Sequence, residues 1–110
     1  MLYTDADYKL FRKRLPGWQE NYMARLLEQY KAIIGEDALA SERFHKLEQE
    51  VKKHRRDVGV CCEVRNSRMF DNILWLIQER AITQDDLEGF SEKLRKDVAE
   101  WLRLDEISKE

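Results

Sequence analysis

Both cysteines of the chain stand side by side, Cys61 and Cys62, within Asp57-Val58-Gly59-Val60-Cys61-Cys62-Glu63-Val64-Arg65. Adjacent thiols invite metal or redox chemistry, and each option has a spacing requirement. A structural zinc site draws about four ligands, usually from two separated pairs, and here the only histidines, His45 and His54, lie upstream without forming such a pair. A disulfide between neighbours strains the intervening peptide, and a reducing compartment keeps thiols free. Alternation along the stretch puts Val58, Val60, Cys62 and Val64 on one side and Gly59, Cys61, Glu63 and Arg65 on the other. Cys62 is therefore expected to pack as a small hydrophobe, and Cys61 is the candidate reactive thiol, with Arg65 as the cation able to lower its pKa.

Other chemistry-bearing patterns are incomplete. Glu42-Arg43-Phe44-His45 is a single Glu-x-x-His, a unit that di-iron bundles use in two copies with two further glutamates. Phe44, Leu47 and Val51 are expected to define the inward face of their helix, which turns Glu42 and His45 toward solvent. His54 falls one heptad after Leu47 and reads as a boundary histidine. No glycine-rich loop stands ready for a phosphate, and neither histidine lies near a nucleophile in sequence. Asp85 and Asp86 follow Thr83 in the order of a capping box, and the residues before them lack the ligand pattern of a calcium loop. The chain is expected to be no enzyme, with no metal, cofactor or small-molecule substrate identified.

Two patches bear on binding. Lys52, Lys53, Arg55 and Arg56 form a basic run at a helix end, matched to the helix dipole and available for nucleic-acid contact. The formal net charge of −2 argues against a dedicated nucleic-acid binder. Trp75 lies about 180° from the centre of its helix's apolar arc, among Arg68, Asp71, Asn72 and Glu79. Either an N-terminal helix bearing Tyr3, Tyr8 and Phe11 covers it, or these five residues belong to a protein contact, where Trp is enriched.

The elements that position these groups follow from periodicity. Thr4 or Asp5 caps a short helix through Arg14, which Pro16 ends because the residue before proline leaves the α region. From Gly17 to Ile34 the residues Trp18, Tyr22, Met23, Leu26, Leu27, Tyr30, Ile33 and Ile34 form an arc wide enough for two neighbours. Ser41 caps a peripheral helix. The 57–65 stretch reads as an extended connector with strand edges but no strand to pair with. Asn66 or Ser67 caps a helix from Arg68 to Arg80, with Met69, Phe70, Ile73, Leu74, Leu76 and Ile77 as its stripe. After a tight turn at Arg80-Ala81-Ile82, the Thr83–Asp86 box opens a last helix carrying Leu87, Phe90, Leu94, Val98, Trp101 and Leu102. Lys109 and Glu110 form a frayed tail.

These readings give an all-α, single-domain bundle over residues 1–110, with four main helices, a short N-terminal helix and one connector. A chain of this length buries about two thirds of its unfolded surface without staples. Its 43% apolar and 38% charged residues exclude both disorder and a membrane core. The longest apolar run, Ile73–Ile77, is far short of the roughly 18 residues a spanning helix needs, and the first residues lack a leader's basic and apolar regions. A cytoplasmic location is expected. Residues 1–56 carry 12 Lys and Arg against 9 Asp and Glu, and residues 57–110 carry 8 against 13, a polarity able to pair the halves or steer a partner.

The patches Leu15-Pro16-Gly17-Trp18-Gln19-Glu20-Asn21-Tyr22-Met23 and Ile82-Thr83-Gln84-Asp85-Asp86-Leu87-Glu88-Gly89-Phe90-Ser91-Glu92-Lys93-Leu94 resemble a family of short bacterial cytoplasmic proteins of unknown function. The resemblance implies an all-α fold and no activity. A transporter label carried by some members does not fit a chain in which no segment can cross a bilayer. The expected function is a non-enzymatic protein-interaction or regulatory module that self-associates as a homodimer. The alternative is a weak nucleic-acid-binding accessory protein using Lys52, Lys53, Arg55 and Arg56.

Overall fold

The computed structural model describes residues 3–109 and is all-helical, with no strand among the described residues. Its helices are α1 (Asp5–Ile34), α2 (Ala40–His54), α3 (Met69–Gln78) and α4 (Glu92–Ser108), with 3-10 turns at Asn66–Arg68 and Gln84–Leu87. The radius of gyration of 16.7 Å exceeds the roughly 13 Å of a compact domain this size. The excess reflects a two-part build. The N-terminal half of α1 packs with α3, α4 and the turns into one core, while its C-terminal half pairs with α2 as a protruding hairpin.

α1 runs unbroken through Pro16, where the sequence predicts a stop. Proline removes one helical hydrogen bond and crowds the carbonyl of Arg12. Both Arg12 and Pro16 are exposed, so water can serve that carbonyl. Continuing the helix keeps Phe11, Leu15, Trp18 and Tyr22 on one buried side, and that packing outweighs the local preference. Thr4 is the N-cap, its hydroxyl accepting from Asp7 N at 3.1 Å.

The core joins Phe11 and Leu15 to Val58, Met69, Ile73, Leu74, Leu76, Ile82, Leu87, Phe90, Leu94 and Val98. The apolar stripe of α3 is buried as its periodicity requires. Its preceding 3-10 turn has no side-chain cap at Arg65, and the expected start at Asn66 or Ser67 is this turn rather than the helix. α3 ends in a Schellman motif. Ala81 N donates to Leu76 O at 2.8 Å, Arg80 N donates to Ile77 O at 3.0 Å, and Arg80 takes φ 65°.

The box at Thr83 is present, with Thr83 N donating to Asp86 Oδ2 at 2.8 Å, but it closes a 3-10 turn rather than opening the last helix. Gly89, at φ 93°, separates that turn from α4, which begins at Glu92 under a Ser91 cap. Leu87 and Phe90 therefore reach the core from a turn. Asp7, buried in α1, fixes the Ser91 cap by accepting from Ser91 N at 2.7 Å and from Ser91 Oγ at 2.6 Å. This tie across 84 residues gave no periodic signal.

α2 starts at Ala40 under Leu39, with no side-chain cap, so Ser41 lies inside the helix. No α2 residue is buried, and the peripheral placement stands. Phe44, expected to face inward, is 65% exposed. Arg43 faces the end of α1 instead: its Nη1 donates to Ile34 O at 2.6 Å and its Nε to Ala38 O, in the loop, at 3.1 Å. The guanidinium satisfies the Ile34 carbonyl, which the end of α1 would leave open, and one carbonyl of the loop.

Candidate functional site

The connector is the centre of the candidate site, and its first half is wound rather than extended. Val60 N and Cys61 N both donate to Asp57 O at 2.9 Å, making a tight turn over 57–61. Val58 and Gly59 are both buried, while Val64 is exposed, so strict alternation does not hold. The second half, 61–65, is irregular and pairs with no strand among the described residues, and Arg65 is extended at φ −135° and ψ 148°. The turn forms because Glu79 supplies two acceptors. Its Oε2 accepts from Val58 N at 2.9 Å and its Oε1 from Gly59 N at 3.0 Å. Burial raises the Glu79 carboxyl above its ordinary value, against the lowering effect of these two N–H groups.

Further side chains tie the turn to its surroundings. Tyr22 Oη donates to Asp57 Oδ2 at 2.6 Å, and His54 Nδ1 lies 2.9 Å from the same oxygen. His54 Nε2 lies 3.5 Å from Glu50 Oε2, so both ring nitrogens face carboxylates and neither is free to act on a third group. Burial and then the Asp57 acceptor push the Tyr22 phenol up. Gln19 Nε2 donates to Val58 O at 2.9 Å and Tyr8 Oη to Val64 O at 3.3 Å. His54 is thus a boundary histidine that clasps the end of α2 to the connector at Asp57, which Tyr22 in turn ties to α1.

Trp75 is 47% exposed, and the N-terminal segment does not cover it. Tyr3 stacks on Phe70 at 5.5 Å and donates to Asp97 Oδ2 at 2.8 Å, and Phe11 lies in the core. What lies beside Trp75 is the connector. Asn72, Trp75 and Glu79 share one face of α3, and Asn72 Nδ2 donates to Glu63 O at 3.1 Å as Glu79 holds the turn. Asn72 is buried and Glu79 half-buried, so both are positioning groups for the connector, whereas Arg68 and Asp71 are exposed. The signal that could have found this was their spacing of three and four residues opposite the apolar stripe: a polar face so regular has a neighbour.

The basic run and the Trp75 face, distant in sequence, meet in the structure through Arg56. An open cleft of about 220 Å³ is lined by Arg56, Cys61, Cys62, Arg68, Asn72 and Trp75, among others. Lys52, Lys53, Arg55 and Arg56 are all exposed, and among the described residues only Lys52 has a carboxylate partner, Glu48 at 3.8 Å. Arg68 likewise has no carboxylate within 4 Å among the described residues. On α1, Arg12 lies over the Tyr8 ring and Arg14 donates to Asp86 O and Glu88 O, so these two cations are already engaged.

Cys61 is exposed and Cys62 half-buried, the order expected, and both are free thiols. Burial pushes the Cys62 thiol up, with Cys61 and Glu79 adding to it. Arg65, the cation expected to activate Cys61, is held by Glu63 at 2.7 Å, and Cys61 Sγ lies 3.6 Å from Arg55 O. Glu42 and His45 are exposed on α2, and no group of three or more metal-ligating side chains occurs among the described residues.

The second candidate surface is the α1–α2 hairpin, whose α1 half carries the wide apolar arc expected from the sequence. Leu27, Ile34, Phe44 and Val51 are 64%, 54%, 65% and 41% exposed and line two consecutive grooves between the helices. Monomeric proteins seldom leave such a contiguous apolar face open. No helix among the described residues is long and apolar enough to cross a membrane. No family model, curated protein or solved structure matches this chain.

Proposed function

We propose that this chain is a non-enzymatic protein-interaction module that works by self-association, as a homodimer in the cytoplasm. The observation that carries the reading is the apolar hairpin face, where Leu27, Ile34, Phe44 and Val51 stand open to solvent. Helices held by few buried contacts are stabilised when such a face is covered, and homodimers are the commonest way small proteins cover one. Sedimentation equilibrium of the whole chain at about 50 µM tests it, a concentration at which even a micromolar dimer is largely formed. A single species at monomer mass removes the reading.

One observation favours a second reading, a weak nucleic-acid-binding accessory role. Arg56, at the end of the basic run, shares its cleft with Arg68 and the half-exposed Trp75. An indole face with guanidinium groups beside it is the chemistry that stacks a base and holds its phosphate. A labelled strand should then shift with an affinity that falls steeply as salt rises. Salt-independent retention, or none at low salt, eliminates this role.

A further inference from the structure

We propose that the α1–α2 hairpin docks against the same hairpin of a second copy, closing an antiparallel four-helix bundle about a two-fold axis parallel to the helices. The proposal rests on the self-association reading above and names its surface and geometry.

At about 100° per residue, Met23, Leu27, Tyr30 and Ile34 fall within about 60° of one another on α1, and Ala40, Phe44, Leu47 and Val51 do the same on α2. Both rows alternate steps of four and three residues, the spacing of a bundle seam. The rows lie side by side and in register. Leu27 and Val51 line one groove of about 230 Å³, and Ile34 and Phe44 line the next, of about 200 Å³. Tyr30 Oη reaches Glu50 O at 3.4 Å between these levels. The result is two helices of a bundle with their shared seam uncovered.

Size and charge identify the occupant. The 15 residues of α2 span about 22 Å, and two helices of about 10 Å diameter make a face near 450 Å² in flat projection. With side-chain relief this approaches the roughly 800 Å² per partner of a stable complex. Residues 17–56 carry eight Lys and Arg against seven Asp and Glu, so two copies meet with little net repulsion.

The rims are also complementary. About 60 to 130° round from the seam, the outer edge of α1 presents Glu20, Glu28 and Lys31, and that of α2 presents Arg55, Lys52 and Glu48. Rotation about an axis along the helices lays α1 over α2 of the second copy, antiparallel and at the same level. Each charge then meets its opposite: Glu20 with Arg55, Glu28 with Lys52, Lys31 with Glu48. Within one chain Lys31 has no carboxylate partner among the described residues, and Glu48 has only Lys52. Rim pairs of this kind set register and orientation more than affinity.

The experiment is sedimentation equilibrium of the full chain and four kinds of variant. Leu27→Glu and Phe44→Glu, at side chains already exposed in the monomer, should each raise the dimer dissociation constant at least about 100-fold while the circular dichroism spectrum stays helical. Trp75→Glu should leave the dimer intact. Lys31→Glu and Glu48→Lys should each weaken it about three- to tenfold, and the double reversal should restore it to within about twofold. A wild-type monomer overturns both this geometry and the self-association reading. A folded dimer that ignores Leu27→Glu and Phe44→Glu, or that Trp75→Glu dissolves, overturns the hairpin interface alone. Dissociation by the apolar-site variants without rescue by the double reversal overturns the two-fold register.

Discussion

Replacing Gly59 with alanine should destabilise the fold by about 3 kcal/mol, a large loss for one methyl group. A Cβ built on Gly59 falls 2.2 Å from Tyr22 Cδ2, 2.6 Å from Cγ and 2.8 Å from Cε2. Carbon atoms rest about 3.5 to 4.0 Å apart, so the ring must move by more than an ångström. It has little room, being buried and tethered through Oη to Asp57 at 2.6 Å. Overpacking of this kind costs about 1 to 3 kcal/mol. If the ring swings clear, the bond to the carboxylate goes with it, about 1.5 to 3 kcal/mol. The lost flexibility of the unfolded chain returns about 0.4 to 1 kcal/mol. The sum is near 3 kcal/mol, or a fall in Tm of roughly 12 °C. Urea unfolding followed by circular dichroism measures it, with Gly17→Ala as the control. Gly17 lies within α1, and its added Cβ meets nothing within 4 Å. That variant should gain about 1 kcal/mol from helix propensity. In a Tyr22→Ala background the cost of Gly59→Ala should fall below about 1 kcal/mol, giving a coupling near 2 kcal/mol. A loss under about 1 kcal/mol in the wild-type background, or no coupling to Tyr22, refutes the argument for close approach.

Arg80→Gly should stabilise by about 1 kcal/mol in the same unfolding assay, because Arg80 sits at φ 65° in the Schellman position, where glycine bears no Cβ penalty. An unchanged or lower midpoint would show that the Arg80 side chain is needed there. Glu79 has a folded pKa raised above its ordinary value of 4.5, so its contribution to stability is full below that value and is lost as pH rises through the folded pKa. Between pH 4 and pH 7 the stability difference between wild type and Glu79→Gln should therefore move in favour of the glutamine variant, and a flat or opposite trend rejects the burial argument. Cys61 should react with a neutral thiol reagent faster than Cys62, which is half-buried and has a raised pKa. Mass-resolved labelling reads the order directly, and faster modification at Cys62 contradicts it.

The sequence by itself determined the all-helical class, because apolar residues recur every three to four positions through α1, α2, α3 and α4 and each such row must be buried or covered. It also determined the turn at Arg80–Ile82 and the box at Thr83–Asp86, both of which depend on neighbours within a few residues. Only the tertiary structure decided that α1 passes through Pro16, since the penalty is local but Phe11, Leu15 and Tyr22 recover it by packing on distant residues. The same holds for the connector. Its valines and cysteines read as extended until Glu79 supplies acceptors and Tyr22 a wall that wind its first half into a turn, while Asn72 donates to its second half. The cleft that joins Arg56, Arg68 and Trp75 and the exposed seam of the hairpin were likewise settled by three-dimensional placement. A helical row states that a face is apolar, whereas what faces it depends on how whole elements cross, and that is set by packing energies summed over the chain rather than by any local run of residues.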